Sequence, residues 1–498
     1  MPSPRSLWSK FALLLVAVAI ACAITTTAGL TTTAQAAVLP AQITAGNNFS
    51  CVLLTGGTVK CWGFNNFGGL GDGTTIQRNV PVSVVGITTA TQIAVGGGHS
   101  CALLTGGTVK CWGYNTMGEL GSGDGTTTDS SVPVSVVGIT TATQITAGAL
   151  HSCALLAGGT VKCWGFNGIG SLGDGTTTDS SVPVSVTGIT TGTQITAGYA
   201  HSCALLAGGT IKCWGSNGNG ELGDGTSSMD SSVPVSVSSI ETATQVTAGL
   251  NHSCALISGG TVKCWGFNGG GQLGDGTTTG SRIPVSVSGI ETATQVTAGN
   301  HSCVLISGGT VKCWGNNNRG QLGDGTITNS SVPVSVSGIT TATQITAGTL
   351  HSCVSLSGGT VKCWGSNFYG SLGDGTTTAS SVPVSVRDIA TPTRITVAKA
   401  KTKIAKALIT LTTSVTVPGA GKLTQVVTSK SGRKTTTWCT AKATTTSARA
   451  YTLTCKITKA GRNALRQAAM SLTVTTTFTP TGGTKATKTQ VVKLRRTR

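Results

Sequence analysis

Short runs of alternating hydrophobic and polar residues recur along most of the chain, separated by clusters of Gly, Asn, Asp and Thr. In one copy of this pattern the runs cover residues 92–94, 101–104, 108–112 and 132–136. Runs of this length, rich in Val, Ile, Thr and Trp and bounded by turn-forming residues, are typical of β-strands. The pattern has no helical period, so it predicts four short strands in each copy.

The four-strand pattern is repeated seven times. The first cysteines of consecutive copies lie 50, 52, 50, 51, 49 and 50 residues apart. Units of this period cannot bury their apolar faces alone, so they stack against their neighbours. Seven four-stranded units predict an all-β fold, a seven-bladed β-propeller over residues 37–398. A further run at residues 394–398 either completes the ring or opens the next domain.

Each copy contains two cysteines ten residues apart, and this spacing predicts a disulfide. A three-residue loop at residues 105–107, with Gly107 in the left-handed conformation, places Cys101 opposite Cys111 on neighbouring strands. Metal binding through the cysteines and the nearby histidine is the alternative, but paired cysteines of an exported chain usually oxidise. The predicted pairs are Cys51–Cys61, Cys101–Cys111, Cys153–Cys163, Cys203–Cys213, Cys254–Cys264, Cys303–Cys313 and Cys353–Cys363.

Two motifs of each copy, Gly-x-x-His-Ser-x-x-Leu and Gly-x-Val-x-x-Trp-Gly-x-Asn-x-x-Gly-x-Leu-Gly-x-Gly, resemble the repeats of the regulator of chromosome condensation family. The resemblance covers about residues 42–398 and implies a seven-bladed propeller that serves as a protein-binding platform. The paired cysteines indicate an exported, bacterial-type branch, and Phe49 replaces the histidine in the first copy. Secreted bacterial relatives include a propeller-type inhibitor of β-lactamase, whose contact residues cannot be matched to positions in this chain.

The first 36 residues have the features of an export signal. Arg5 and Lys10 accompany an apolar stretch at residues 11–24, and a small-x-small site ends at Ala36. No later segment is long and apolar enough to cross a membrane. We therefore expect a protein that is secreted, extracellular or associated with the cell wall. Export also argues against nucleotide exchange on a small GTPase, the activity of the family's eukaryotic namesake.

The positive charge of the chain is concentrated in residues 399–498. This segment contains 20 Lys and Arg and no Asp or Glu, whereas residues 37–398 contain 12 basic and 15 acidic residues. Alternation of Thr, Val, Leu and Lys predicts a small, β-rich, sandwich-like domain with a Cys439–Cys455 disulfide and a helical turn at residues 460–465. The charge predicts binding to anionic envelope polymers, or alternatively a solubilising surface without a chosen partner. Its few aromatic residues do not indicate a specific nucleic-acid site.

Candidate catalytic and metal-binding residues recur at equivalent positions, which favours structural roles for them. All six histidines precede the first cysteine of a copy, and packing or loop hydrogen bonds explain such repetition better than catalysis does. Asp-Gly pairs followed by threonine are typical of turns, and few copies offer the second carboxylate of a calcium loop. The tryptophan of Cys-Trp-Gly is expected to pack between blades, with an aromatic binding ring as the alternative. No catalytic residue, metal site or cofactor is predicted, and no enzymatic activity is expected.

Partner specificity is expected where the copies differ most, in the two residues after Trp-Gly-x-Asn. In a closed ring, the second of these residues in blades 7, 1, 2 and 3 would form a continuous apolar arc, with the arginine of blade 6 next to it. Aromatic residues, Met and Arg are enriched at protein interfaces, but loop side chains beside glycines can also pack inward between blades. Both interpretations stay open for the candidate partner-binding residues Phe67, Met117, Ile169, Arg319 and Tyr369.

These features together predict a secreted, non-enzymatic propeller scaffold that binds another protein on one face. The basic C-terminal domain would tether this scaffold to anionic polymers of the cell envelope. The alternative is a structural surface protein or adhesin whose propeller binds glycans or wall polymers. An enzyme of the kind that other propellers host is disfavoured, because the sequence lacks clustered acids and bases.

Overall fold

The computed structural model describes residues 39–389, 395–404, 408–417, 421–431, 434–445, 449–457, 459–467, 469–480 and 486–495. The predicted export signal, residues 1–36, lies outside these ranges. Within them, no helix has the length and apolar character needed to span a membrane.

Residues 40–385 form seven antiparallel sheets, each built from four strands that are consecutive in the chain. Blade 1 contains β1 (Pro40–Ala45), β2 (Phe49–Leu54), β3 (Val59–Gly63) and β4 (Arg78–Ser83), and blade 2 contains β5 (Ala90–Val95), β6 (His99–Leu104), β7 (Val109–Gly113) and β8 (Ser130–Ser135). Blade 3 contains β9 (Ala142–Ala147), β10 (His151–Leu156), β11 (Val161–Gly165) and β12 (Ser180–Ser185), and blade 4 contains β13 (Gly192–Ala197), β14 (His201–Leu206), β15 (Ile211–Ser216) and β16 (Asp230–Ser236). Blade 5 contains β17 (Ala243–Ala248), β18 (His252–Ile257), β19 (Val262–Gly266) and β20 (Ser281–Ser286). Blade 6 contains β21 (Ala293–Ala298), β22 (His301–Ile306), β23 (Val311–Gly315) and β24 (Ser330–Ser335), and blade 7 contains β25 (Ala342–Ala347), β26 (His351–Leu356), β27 (Val361–Gly365) and β28 (Ser380–Ser385). The predicted seven-bladed propeller is confirmed.

The hairpin between the second and third strands of each blade turns through two glycines. In blade 2, Gly106 and Gly107 have φ angles of 94° and 85°, a left-handed conformation that a side chain would strain. The N–H of Leu104 donates to Thr108 O, directly before the next strand, at 2.9 Å. Cys101 therefore lies opposite Cys111, with Cα atoms 4.1 Å apart, and the two sulfurs are bonded. The same offset places a disulfide in every blade.

The tryptophan of each blade packs into the preceding blade. Trp112 is fully buried in the apolar cluster of blade 1, beside Leu53 and Leu70, and its Nε1–H donates to Gly69 O at 2.9 Å. The equivalent bond at the closing interface runs from Trp62 of blade 1 to a carbonyl of blade 7, also at 2.9 Å. Because a large ring and a buried N–H both need a partner, these seven residues serve interblade packing as predicted.

Glutamines on the innermost strands extend the hydrogen bonding from blade to blade. Gln42 Oε1 accepts from Ile93 N at 2.8 Å, and its Nε2 donates to Ile93 O at 2.9 Å, so the side chain pairs with the next strand as a peptide group would. Gln344 of blade 7 accepts from Ile43 N of blade 1 at 2.8 Å. The ring therefore closes through contacts between complete blades rather than through a shared strand.

Residues 395–495 form a second module of two sheets. One sheet has β31 (Ile409–Val417) at its centre, with β34 (Arg449–Ile457) on one edge and both β29 (Thr396–Val397) and β30 (Lys401–Ile404) on the other. The other sheet has the strand order β33 (Lys434–Thr445), β32 (Gly421–Ser431), β35 (Met470–Pro480) and β36 (Ala486–Leu494). One helix, α1 (Lys459–Gln467), covers the predicted helical turn.

The two sheets share an apolar core and a disulfide. Leu411 of β31 packs in one cluster with Val427 and Leu472 of the other sheet. The predicted bond between Cys439 of β33 and Cys455 of β34 joins the two sheets. This arrangement is the predicted β-rich, sandwich-like domain.

The described part of the run at residues 394–398, residues 395–398, opens this second module. Its described residues include β29, which pairs with β31, and Ile395, which is buried in a cluster with Leu423 and Phe478. The propeller ring is already closed between blades 7 and 1, so the run has no blade to complete. These contacts place the described residues of the run with the second module, the second of the two outcomes that the sequence left open.

Candidate protein-binding face

The turns between first and second strands and the long loops between third and fourth strands lie at the same end of the propeller. Backbone bonds connect them: Phe64 N donates to Asn48 O at 3.0 Å in blade 1, and Tyr114 N donates to Gly98 O at 3.1 Å in blade 2. We call this end of the ring the loop face. It carries the positions at which the copies differ most.

The long loops are held rigid by a buried asparagine and by an aspartate turn. In blade 1, Asn65 Oδ1 accepts from Leu70 N at 2.9 Å, while its Nδ2 donates to Thr74 O at 3.0 Å. Asp72 Oδ1 accepts from both the N–H and the hydroxyl of Thr74, at 3.0 and 2.7 Å. The Asp-Gly pairs therefore act in turns, as predicted. Among the described residues, no three His, Cys, Asp or Glu side chains converge as metal ligands would.

Five aromatic rings follow one another across blades 7, 1 and 2 on the loop face. Phe368 meets Tyr369 with centroids 4.9 Å apart, and Tyr369 meets Phe64 at 4.9 Å. Phe64 meets Phe67 at 5.7 Å, and Phe67 meets Tyr114 at 5.0 Å. All four contacts are edge-to-face, the arrangement that aromatic quadrupoles favour. We call these five residues the aromatic strip.

The strip is accessible along its length. Phe368 is 74% exposed and Phe67 is 37% exposed, while Phe64, Tyr114 and Tyr369 are half-buried. The half-buried rings contact the exposed ones, so the strip presents a continuous apolar surface. Such surface on a rigid loop framework is typical of a binding site.

The residues of the predicted arc are only partly brought together. Tyr369 and Phe67 are joined through Phe64, a residue that was not among the candidates. Met117 and Ile169 are half-buried on the next two blades, and Arg319 is exposed on blade 6. The continuous part of the surface is therefore the aromatic strip, and Met117, Ile169 and Arg319 stay predicted partner-binding residues.

The six histidines bond neighbouring blades. His151 Nε2 lies 2.7 Å from Ser202 Oγ of the next blade, and that hydroxyl donates in turn to Ser171 O. Because the serine hydroxyl is used as a donor, its oxygen accepts from the histidine, which places a proton on Nε2. The same pairing joins His99 to Ser152, His201 to Ser253, His252 to Ser302, His301 to Ser352 and His351 to Ser50.

Burial holds these histidines neutral. All six are at most 1% exposed, and desolvation lowers their pKa well below the usual 6.5. The pKa is lowered to about 3 for His99, His151, His252 and His301, and to about 4 for His201 and His351. A neutral imidazole enclosed between two blades has a structural role, as its repetition predicted.

Comparison with known families agrees with the blade architecture. A family model described as the RCC1-like domain matches residues 25–305, which is more than half of the chain. The chain belongs to the RCC1-like domain family. Models of the regulator of chromosome condensation (RCC1) repeat also match residues 308–355, and residues 294–321 and 342–371.

Solved structures share this RCC1-like fold. Yeast RCC1 (Prp20), in a complex with Kap60, is 20% identical with a TM-score of 0.59, over 71% of this chain and 85% of that one. Prp20p from Saccharomyces cerevisiae, described with its binding to Gsp1p and histones, has the same identity and TM-score over 71% and 88%. Human WBSCR16 is 23% identical with a TM-score of 0.61, over 68% and 96%. At these identities the likeness shows the fold alone, and no curated protein sequence matches the chain significantly.

Three residues of the aromatic strip escaped the sequence-based prediction: Phe64, Tyr114 and Phe368. Phe64 and Tyr114 occupy the position directly after Trp-Gly, which also varies among the RCC1-like repeats and is aromatic in four of the seven copies. A second signal was Gly98, since a Cβ there would lie 3.1 Å from Tyr114 Cβ and 3.3 Å from Phe67 Cδ2. The glycine leaves room for the two rings to approach each other.

One carboxyl on this face has an unusual environment. Glu119 is fully buried beside Met117; its Oε2 accepts from Met117 N at 2.9 Å, but its Oε1 has no hydrogen-bond partner. Burial therefore raises the pKa of Glu119 from 4.5 to about 7. At the equivalent position of blade 4, Glu221 accepts from both the backbone and the side-chain amide of Asn219. The carboxyl of Glu119 therefore holds the Met117 loop through its bond to Met117 N, and no side-chain base or nucleophile among the described residues is bonded to it.

Proposed function

We propose that this RCC1-like propeller is a secreted, non-enzymatic scaffold that binds another protein through its loop face. The basic C-terminal module would hold the scaffold at anionic polymers of the cell envelope. The observation that carries the proposal is the aromatic strip, a row of five rings in contact on rigid loops.

The composition of the strip suits a protein partner. Tyr, Phe and Trp supply large contact areas at small cost in side-chain entropy, and they are enriched at the centres of protein interfaces. The loops beneath Phe64 and Phe67 are fixed by the buried Asn65 and its four hydrogen bonds to the loop. Binding therefore requires little ordering of the scaffold, and little of the interaction energy is lost to that ordering.

The relatives and the disulfides support the two parts of the proposal separately. Prp20 has been solved with Kap60 and is described as binding Gsp1p and histones, so a propeller of this family is known as a protein-binding platform. Eight disulfides are consistent with an oxidising, extracellular compartment. The 20 Lys and Arg of residues 399–498, with no Asp or Glu, support attraction to anionic polymers.

The competing function is that of an adhesin whose propeller binds glycans. Aromatic rings also stack on sugars, and Phe368 exposes most of its surface. The two functions differ in what the strip retains: one folded protein in defined stoichiometry, or soluble glycans and wall polymers.

The test is affinity capture from the native extracellular medium with the oxidised protein, washed at high salt to remove contacts of the basic module. The variant Phe67→Ala removes a ring of the strip, and Phe267→Ala is its matched control, an aromatic loop residue of blade 5 with nearly the same exposure, 39% against 37%. We expect Phe67→Ala alone to weaken capture of one stoichiometric protein by at least about tenfold, as for a central interface residue.

Equal capture by both variants would contradict the assignment of the strip as the protein-binding surface. Capture of wall glycans in place of a protein, lost in Phe67→Ala, would establish the adhesin instead.

A further inference from the structure

The outer face of the sheet centred on β31 in the C-terminal module carries lysines around threonine hydroxyls. Along β31 the odd-numbered residues are buried in the core, so Thr410 and Thr412 point outward. Cross-strand partners share a face of the sheet. Lys403 and Lys456 flank Thr410 on either side, and Lys401 and Thr454 flank Thr412. We call these six residues the lysine face.

The three lysines of this face lie close together and are exposed. Lys403 and Lys456 are two strands apart, which corresponds to about 10 Å between their Cα atoms, and Lys401 lies two residues from Lys403, about 7 Å along the strand. Residues 399–498 contain no Asp or Glu side chain that could neutralise them. Three positive charges are therefore concentrated within the span of one extended ligand segment.

Structural roles do not account for this choice of residues. Like charges at neighbouring positions of a sheet are destabilising, so the cluster has a cost in stability. Charged residues do protect edge strands such as β30 from pairing with other chains, but acidic residues can serve that purpose too. Mixed charges would give solubility at lower cost, yet every charged residue of the segment is basic.

The chemistry of the face selects one kind of ligand. The outward residues of β31 are Thr410, Thr412, Ser414 and Thr416, so hydroxyl groups lie between the ammonium groups. Ammonium and hydroxyl donors together suit phosphate oxygens, which accept several short hydrogen bonds. The sheet face offers no aromatic ring at these positions for stacking on a base or a sugar. A ligand held here is recognised through its charged backbone.

We propose that the lysine face is the binding site for a linear polymer of phosphodiester units, held by Lys401, Lys403 and Lys456 with Thr410 and Thr412 between them. This assignment rests on the proposed tethering function and names the surface that performs it. On the opposite sheet, Lys442 of β33 pairs with Thr424 and so lies diagonally beside Lys422, whereas Lys430 is eight residues from Lys422 along β32, about 27 Å away. These lysines therefore form one pair and a distant third charge rather than a cluster of three.

The experiment compares two triple variants of the oxidised protein expressed without residues 1–36. Lys401→Gln/Lys403→Gln/Lys456→Gln removes the lysine face, and Lys422→Gln/Lys430→Gln/Lys442→Gln removes the same net charge from the other sheet. Inorganic polyphosphate is titrated at several salt concentrations, and vesicles containing phosphatidylglycerol are titrated in parallel. Thermal unfolding of both variants confirms that these exposed substitutions leave the fold intact.

We expect the first triple variant to bind polyphosphate at least about tenfold more weakly, and its salt-dependence slope to fall by about 2, as expected for three lost phosphate contacts. The second variant should stay within about threefold of the wild type, because Lys430 lies more than a Debye length from the Lys422–Lys442 pair and cannot act with it on one ligand segment. Vesicle binding that follows polyphosphate binding would identify lipid phosphate as a second source of the same ligand chemistry.

Equal weakening in both triple variants would overturn the lysine face as a site and leave attraction by net charge. Failure of the wild type itself to bind polyphosphate and envelope polymers would overturn the tethering function, and the site with it. Capture of a protein by the loop face is independent of either result.

Discussion

The propeller and the C-terminal module are held together by different kinds of contact. In the propeller, each blade has its own disulfide, and polar side chains such as the buried His151 and the half-buried Gln42 bond neighbouring blades to each other. In the module, one apolar core and the Cys439–Cys455 bond join two sheets, and the lysines are kept on the outside. The propeller therefore places titratable groups inside its interfaces, whereas the module places its charges where a ligand can reach them.

The difference extends to the response to pH. All six histidines and all 15 carboxylates belong to residues 37–398, and residues 399–498 contain neither. Between pH 8 and pH 4 the histidines of the propeller become protonated only when it unfolds, while the lysines and arginines of the module stay charged in either state. Acidification should therefore produce a larger difference in stability between the two regions than heat or denaturant does.

The largest effect is expected on acidification. The pKa of each buried histidine is depressed in the folded state, so its neutral form stabilises the fold above pH 6.5, and this stability is lost as pH falls toward 4 and below. The unfolded propeller takes up as many as six additional protons. For His201, with a pKa of about 4, the loss at low pH amounts to about 3 kcal/mol.

Urea titrations between pH 7 and pH 4, with hydrogen exchange resolved by peptide, measure this difference. The midpoint for the propeller should fall steeply while that of residues 399–498 changes little. His151→Gln keeps a donor for Ser202 without a titrating group and should reduce the proton uptake by one. A propeller midpoint independent of pH would contradict the neutral, buried state of the histidines.

The second effect concerns tryptophan. Trp214 is fully buried in the neighbouring blade and donates to Ser171 O at 2.9 Å, whereas Trp438 of the module is half-buried and donates to Ser429 Oγ at 2.8 Å. Truncation of a buried tryptophan costs about 3–5 kcal/mol, so Trp214→Ala should destabilise the propeller by this amount. Trp438→Ala should cost under about 2 kcal/mol. Chemical denaturation of each variant measures its free energy of unfolding. Similar losses in the two variants would show that a tryptophan between blades contributes no more to stability than the half-buried Trp438 does.

The smallest effect, and the most specific, concerns Glu119. Its folded pKa of about 7 is raised above 4.5, so its contribution to stability is full below pH 4.5 and is lost as pH rises through 7. Glu119→Gln removes the buried charge and should stabilise the protein at pH 8 by about 1–3 kcal/mol, with little change at pH 5. Gln272 and Gln321 already occupy the equivalent position in blades 5 and 6.

The matched control for this substitution is Glu221→Gln, because both oxygens of Glu221 accept hydrogen bonds from Asn219. It should not be stabilised at pH 8. If the two substitutions had the same effect, the unpartnered Oε1 of Glu119 would not be the cause.

The repeat made most of the propeller predictable. The ten-residue offset of the cysteines and the two hairpin glycines, such as Gly106 and Gly107, act within six to ten residues, so local geometry settles which strands pair. The tryptophans and histidines were assigned to packing because they recur at equivalent positions. A residue type that recurs at the same position of the repeat is stronger evidence for a structural role than a residue that occurs once.

The aromatic strip was less predictable, because its members come from different blades. Tyr369 and Phe64 are separated by 305 residues in the chain, and only ring closure brings their rings to 4.9 Å. Phe49, which replaces the histidine in the first copy, also depends on a residue that is distant in the chain. A Cβ on Gly69, 20 residues away, would lie 3.3 Å from Phe49 Cζ, so the glycine leaves room for the larger ring.

By itself, the sequence determined the seven blades, the pairing of the cysteines and the separation of the basic module, since repetition, short-range spacing and composition express themselves locally. Only the tertiary structure decided how the ring closes, that residues 395–398 belong to the second module, and which rings and lysines share a surface. Those outcomes depend on contacts between strands far apart in the chain, where the neighbours of a side chain are chosen by closure and packing rather than by its own residue type.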